Sequence, residues 1–283
     1  MKPGWRGFIL TTIFFNFFIG WASSASERVE LFPGGLAFLR AKAEDKEAFF
    51  RGCRFIPVEY HGKKGFLIAA PLETPPGNYP VVVKGAGERT VTVTVRPKNY
   101  PVEHLKLPEK MVRFPPEILW RIKRELATIK TILFQQESFC HWDKPFELPA
   151  RGRITSPFGL KRILNGEPRS PHAGIDIGLP AGTPVKAAQD GRVVLTGEFY
   201  LPGKVVILSH GCGVYTYYAH LSKILVSKGD KVKGGQVIGL SGASGRATGP
   251  HLHFGLYISG IKVDPLYAIK LLEEEAYGPR PGG

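Results

Sequence analysis

Residues 229–254 read GDKVKGGQVIGLSGASGRATGPHLHF, and the parsing of this stretch decides the fold. Short β-branched runs, Val232 and then Val237–Ile238, alternate with glycines that mark turns. The stretch ends in GPHLHF, with His251 and His253 one residue apart. If that end is a strand, alternate side chains share a face and both imidazoles point the same way. One metal, or one metal and one substrate, would then meet both. Two histidines on a solvated strand face satisfy the same pattern, so their partners must come from elsewhere in the chain.

Upstream, the same grammar repeats. TPVKAAQDGRVVLTGEF (183–199) and GKVVILSHGCGVYTYYAHL (203–221) each carry β-branched runs beside Gly, Asp or Pro. Little room for helix is left between Ile154 and Pro265, which predicts an antiparallel, mainly β domain whose glycine-dense turns allow loops to approach a ligand. Five of the chain's histidines fall here: His172, His210, His220, His251 and His253. In SPHAGIDIGLPAGTPV (170–185) His172 is followed four residues on by Asp176. A catalytic zinc site takes three protein ligands and keeps one open position. His172, Asp176 and one histidine of the H-x-H supply such a set, leaving His220 and the other member for proton transfer and oxyanion stabilisation. No H-E-x-x-H occurs, so histidine takes the place of the glutamate base.

The rest of the chain bounds the reading. Its 283 residues suffice for two domains, and 43% hydrophobic with 22% charged residues is a globular composition. The net charge of +14 fits an anionic partner, but no Lys/Arg block or nucleic-acid motif is present, so nucleic acid is not expected. Lys2 and Arg6, the apolar stretch Phe8 to Trp21 and the small residues after it predict a signal peptide over 1–25, cut near Ser24 or Ala25, and export to the periplasm or beyond. An uncleaved anchor is the alternative; otherwise no membrane span is expected. Cys53, Cys140 and Cys212 form no disulfide framework or zinc knuckle, and their pairing is open. YPVVVKGAGERTVTVTV (79–95) predicts a hairpin within a small β-sandwich-like domain over 26–100. Ile118, Ile122, Leu126, Ile129 and Leu133 predict an amphipathic helix over 115–136 in a linker spanning 101–147. A domain over 148–268 and a tail over 269–283 complete the layout.

Four segments, SPFGLKRILNGEPRSPHAGIDI, GTPVKAAQDGRVV, GVYTYYAHLSKILVSKGDKVKGGQVIG and SGRATGPHLHFGLYISGIKVDP, occur in order between residues 153 and 267. Together they resemble the lysostaphin-type or LytM-like peptidoglycan metalloendopeptidases, whose fold is the duplicated hybrid motif. The resemblance implies one zinc ion per chain held by His172, Asp176 and His253, with His220 and His251 as the catalytic pair. It also implies hydrolysis of peptide cross-links in peptidoglycan, and the exported two-domain layout favours the D-alanyl-diaminopimelate bond. His210 receives no chemistry, as a strand-end or groove-lining residue. Asn165, Arg169 and Ser170 precede the first ligand as candidates for substrate contact, an Asn-Gly turn being the alternative. GNYPVVVKG and LKLPEKMV resemble, more distantly, the β-rich N-terminal part of relatives in which that part covers the groove. Autoinhibition, relieved by deletion to about Phe146, is the expectation. The rival functions are a non-catalytic wall-binding scaffold or amidase activator of this fold, and a zinc peptidase acting on proteins. The oligomeric state is left open.

Overall fold

A computed structural model describes residues 29–106, 113–137, 140 and 142–279. The expected leader lies outside these residues. Among them, no helix is long and apolar enough to cross a membrane.

The valine-threonine alternation of 79–95 folds as a hairpin of strands Gly77–Lys84 and Glu88–Val95, with Val81, Val83, Val91, Val93 and Val95 buried. It sits in a five-stranded sheet that also holds Val29–Leu31, Glu47–Phe50 and Cys53–Phe55. A three-stranded sheet of Leu36–Arg40, Lys63–Ala69 and Pro57–Tyr60 packs against it. This is the sandwich-like module the sequence predicts.

The C-terminal part is built on an eight-stranded antiparallel sheet. Its central strand, His251–Ile258, lies between Ile175–Gly178 and Val214–Leu221, with Gly203–Ser209 and Gly191–Phe199 beyond. Leu252, Phe254, Leu256 and Ile258 point inward and are buried, so period-two geometry sends His251, His253 and Tyr257 to the opposite face. The inward residues belong to one core that continues into the N-terminal sandwich. Tyr60, Trp142, Phe146 and His210 form the bridge, ring against ring, with centroids 4.9, 5.1 and 4.9 Å apart in succession.

Three features differ from the sequence reading. Ahead of its helix the linker carries a strand the sequence reading did not include: Val102–Leu105 pairs in parallel with Lys161–Leu164, which ties the linker to the C-terminal part. Helix α1 spans Pro116–Leu133, shorter at both ends than expected, with Pro116 opening it and Glu117 and Lys130 matching its dipole. Of the predicted stripe, Ile122, Ile129 and Leu133 are buried while Leu126 is exposed. Third, the expected tail contains helix α2, Pro265–Tyr277, capped by the Asp264 carboxylate, which accepts from the N–H groups of Leu266 and Tyr267. Helix α2 buries Ala268 and Leu272, and the Leu272 carbonyl accepts from Tyr60 Oη at 2.8 Å, fastening the chain end to the first module. The open question of the cysteines resolves as a Cys140–Cys212 disulfide across a 72-residue separation, with Cys53 free.

Candidate active site

Strand pairing aligns the first two ligand candidates with the third. Asp176 stands directly opposite His253 in the sheet, and His172 is carried by the loop that enters strand Ile175–Gly178. Gly174 permits this approach: a Cβ there would lie 2.2 Å from the Phe254 carbonyl oxygen, so any side chain would push the loop off the strand. His172 Nε2 lies 2.9 Å from His253 Nδ1 and 3.0 Å from Asp176 Oδ1, and His253 Nδ1 lies 2.9 Å from the same oxygen. Ligand atoms around tetrahedral zinc, with bonds of about 2.0–2.2 Å, are about 3.3–3.5 Å apart. Two imidazole nitrogens and a carboxylate oxygen this close need only a small outward shift to close on an ion, and His172, Asp176 and His253 form a group that could hold one.

The surroundings fix each donor. Behind His172, Nδ1 donates to the Pro157 carbonyl at 2.9 Å, with the Ser156 hydroxyl 3.2 Å away, leaving Nε2 for a metal. Burial opposes ionisation of Asp176, but hydrogen bonds from His172 and His253 outweigh it and hold the carboxyl well below the usual range. Burial also lowers His253, keeping it in the neutral form that a ligand requires.

His220 reaches the same face by a different route. Ala219 pairs with His253, so strict alternation would turn His220 to the inner face. His220 instead has φ +62°, and the pairing of its strand with Gly203–Ser209 shifts register between Lys204 and Val206, where a bulge adds a residue. The ring consequently lies beside His251, with centroids 4.6 Å apart. Its Nδ1 donates to the Ser244 carbonyl at 2.9 Å, and burial pushes its pKa down to about 4. The ring is therefore neutral at pH 7, with Nε2 free to accept. Ser244 Oγ in turn donates to the Leu221 carbonyl and accepts from Lys204 N–H, so the SGASGRATG stretch is the clamp that aims both histidines. His251 Nδ1 is held by the Gly249 carbonyl at 2.8 Å.

A cavity of about 710 Å³ opens over this cluster, with His172, His220 and His253 on one side and Leu126, Lys130 and Phe134 of the α1 segment on the other. Ile129 and Leu133 pack on Tyr215, Tyr217 and Tyr257 of the outer sheet face. Ser170 lines the cavity. Asn165, with φ +52°, and Gly166 form the tip of a hairpin, the turn alternative, and Arg169 lines a neighbouring cavity. His210 is fully buried, bonded to the Asp190 carbonyl and the Thr216 hydroxyl, and takes no part in the groove. Arg162, Arg246 and Lys262 line the cavity without having been singled out in the sequence. They stand outside the histidine motifs, and only their place in the fold brings them there.

Known proteins resemble this chain in sequence and in fold. Residues 170–265 match the model of Peptidase family M23. The chain is 45% identical over 124 residues to the peptidoglycan DD-endopeptidase ShyA of Vibrio cholerae, covering 44% of this chain and 29% of that protein. It is 44% identical over 114 residues to the DD-carboxypeptidase/endopeptidase Mpg of Neisseria meningitidis serogroup B, covering 40% of this chain and 26% of that one. The chain thus spans less than a third of the length of these relatives. A crystal structure of a putative peptidase M23 from Pseudomonas aeruginosa superposes with a TM-score of 0.66 at 32% identity, over 85% of this chain and 95% of that one. Shared sequence and fold over nearly the whole of that structure, together with the matched segment around the histidines, show that the chain belongs to peptidase family M23.

Proposed function

We propose that the protein is a zinc-dependent endopeptidase that hydrolyses peptide cross-links of peptidoglycan, acting outside the cytoplasm. The observation that carries this is the convergence of His172, Asp176 and His253 within hydrogen-bonding distance of one another, beside the His220–His251 pair, with His172, His220 and His253 lining one open cavity. The name of ShyA supports the substrate class, and that of Mpg the endopeptidase reaction. The Cys140–Cys212 disulfide supports an oxidising compartment, in keeping with the leader read at residues 1–25.

His172 Nε2, Asp176 Oδ1 and His253 Nδ1 would hold the zinc. When bound, the ion supplies Lewis acidity for the scissile carbonyl and for the attacking water. His220, neutral and with Nδ1 tied to Ser244, accepts the water's proton at Nε2. Now an imidazolium, it donates to the oxygen on which negative charge develops, or passes the proton to the departing nitrogen. His251, with Nδ1 tied to Gly249, offers a second Nε2 on the same side. Full occupancy of all five positions favours an enzyme over a scaffold that has lost them.

The seat of α1 on the outer sheet face favours a restraint on access as well. Deletion to Phe146 is a poor test of it, because the cut removes Cys140, Trp142 and Phe146, which belong to the disulfide and the shared core. For the activity itself, purified protein is incubated with intact peptidoglycan and the released fragments are weighed. Cleavage of the favoured bond yields monomers with a new D-alanine carboxyl end and a free diaminopimelate amine. Fragments opened only at a sugar-peptide amide would contradict it.

A further inference from the structure

Three arginines outside the reaction as described cluster at one end of the groove. Arg162 lies on strand Lys161–Leu164, Arg169 follows strand Glu167–Pro168, and Arg246 sits in the loop leading to His251. Arg162 and Arg246 line the same cavity as His172, His220 and His253. Arg169 and Arg246 line a second cavity of about 480 Å³ that shares Leu201 and Arg246 with the first.

The backbone holds these residues in place: Arg169 N–H donates to the Arg162 carbonyl at 2.9 Å, and Arg246 N–H donates to the Leu201 carbonyl at 2.8 Å. Arg162 donates from Nε to Glu103 at 3.2 Å and from Nη2 to Ser156 Oγ at 3.1 Å, the same hydroxyl that lies beside His172 Nδ1. Glu167 is shared between Arg169, at 2.9 Å, and Arg113, at 3.6 Å. The Arg246 guanidinium lies 5.4 Å from the centre of the Phe114 ring. Burial, and then the neighbouring Arg169 and Arg162 charges, hold it below the ordinary guanidinium range, although it remains charged. Gathering like charges in a partly desolvated wall costs free energy that an incoming anion recovers. Guanidinium groups suit a carboxylate because two parallel N–H donors match its two oxygens.

We propose that Arg162, Arg169 and Arg246 form a carboxylate-binding subsite that selects substrates with a free carboxylate on the diaminopimelate residue beside the scissile bond. The proposal rests on the peptidoglycan reading above. In a D-alanyl-diaminopimelate cross-link the scissile nitrogen is attached to a carbon that also bears a carboxyl group. That group is an anion when free and neutral when amidated, so amidation removes the charge and leaves the cleaved bond unchanged.

The test uses the full chain loaded with zinc and two cross-linked dimers that differ only in whether that carboxyl is free or amidated. Rates are measured with wild type, and binding by titration calorimetry with the His220→Asn variant. The free dimer is expected to be preferred by roughly tenfold or more, the effect of a charge-assisted pair. The preference should lie mainly in KM, should appear in binding, and should narrow at high salt. Arg246→Gln should bring the ratio close to one, with Arg246→Lys keeping part of it; Arg169→Gln is the second variant should Arg246→Gln misfold. Equal binding of the two dimers, or an Arg246→Gln variant that weakens both by the same factor, would overturn the subsite. Cleavage of both dimers without discrimination leaves the endopeptidase reading standing and removes the subsite. Arginine-dependent discrimination in binding without any cleavage does the reverse.

Discussion

Ala219 stands opposite His253 in the central sheet, yet the next residue, His220, lays its ring 4.6 Å from that of His251. The bulge and the φ of +62° at His220 accomplish this, and they separate the fold from the chemistry. Asparagine tolerates the left-handed region at least as well as histidine does, whereas a β-branched residue does not. His220→Asn is therefore expected to keep its fold and its zinc while turnover falls by about 10²–10⁴. His220→Val should lose turnover and also on the order of 1–3 kcal/mol of stability. Zinc content, thermal melts and rates on the same preparations check this; an active His220→Asn variant would remove His220 from the reaction.

The depressed pKa of His220 has a consequence for acid stability. Unfolded, the imidazole takes up a proton near pH 6.5; folded, it does so only near 4, because burial disfavours the charge. Between those values the unfolded chain binds more protons, so stability falls as pH drops through this window and rises as pH climbs back. His220→Asn deletes that contribution. The loss of Tm between pH 7 and pH 5 should be smaller in the variant than in wild type, and an equal loss would count against a buried neutral ring.

The Asp176 carboxylate supplies the only negative charge in the ligand set of His172, Asp176 and His253. Asp176→Asn is expected to weaken zinc retention beyond the roughly 10–100-fold that follows loss of a group merely supporting a ligand. Added zinc should raise the Tm of metal-stripped wild type but not that of the variant. Gly174→Ala should show the same zinc defect through the backbone, because its Cβ would collide with the Phe254 carbonyl and displace the segment bearing His172. Metal titration followed by melting distinguishes the two: Gly174→Ala also melts lower without metal.

If α1 restrains entry to the groove, loosening its seat should speed the reaction. Ile129 and Leu133 are 6% and 5% exposed, and both rest on the tyrosines of the outer sheet face. Burying a charge there is unfavourable enough to lift this end of the helix. Ile129→Asp with Leu133→Asp is expected to raise turnover several-fold at constant zinc content. A fall instead would identify α1 as a fixed wall that substrate needs.

The disulfide closes a large loop between the end of the linker and the catalytic sheet. Chain-entropy reasoning assigns such a link about 4 kcal/mol. Cys140→Ser with Cys212→Ser should lower the Tm clearly, and Cys53→Ser should not; differential scanning calorimetry of the two variants checks this.

Much of the site was legible because its chemistry is local in sequence. The two-residue step from His251 to His253 places both groups on one strand face, and His172 lies only four residues before Asp176, on the loop that enters its strand. The alternation of Val91, Val93 and Val95 likewise announces its sheet. Other features depend on distant contacts. The bulge at His220 reverses the parity that its neighbours imply, and no residue around it marks the change. Val102–Leu105 becomes a strand only because Lys161–Leu164 offers an edge. Asp264 and Pro265 did signal the start of α2, as an N-cap followed by proline, but the reading as a tail passed over them. Cys140 meets Cys212 because Glu137 and Cys140 lie against the turn between strands Gly203–Ser209 and Val214–Leu221, where Cys212 N–H donates to the Glu137 carbonyl and Cys140 bridges Gly211. Arg162, on a strand, and Arg246, in a loop, come together from distant parts of the chain, which no spacing rule connects.

The central claim, that three residues hold zinc while two histidines move protons, is tested most directly by measuring zinc content and cross-link cleavage on the same preparations. These are wild type, Asp176→Asn and His220→Asn, each incubated with purified cross-linked peptidoglycan dimers. Wild type should carry one zinc and convert dimers to monomers, Asp176→Asn should do neither, and His220→Asn should carry zinc and leave the dimers intact. Zinc-loaded wild type that leaves the dimers uncut, or His220→Asn that cuts them at the wild-type rate, would contradict the account.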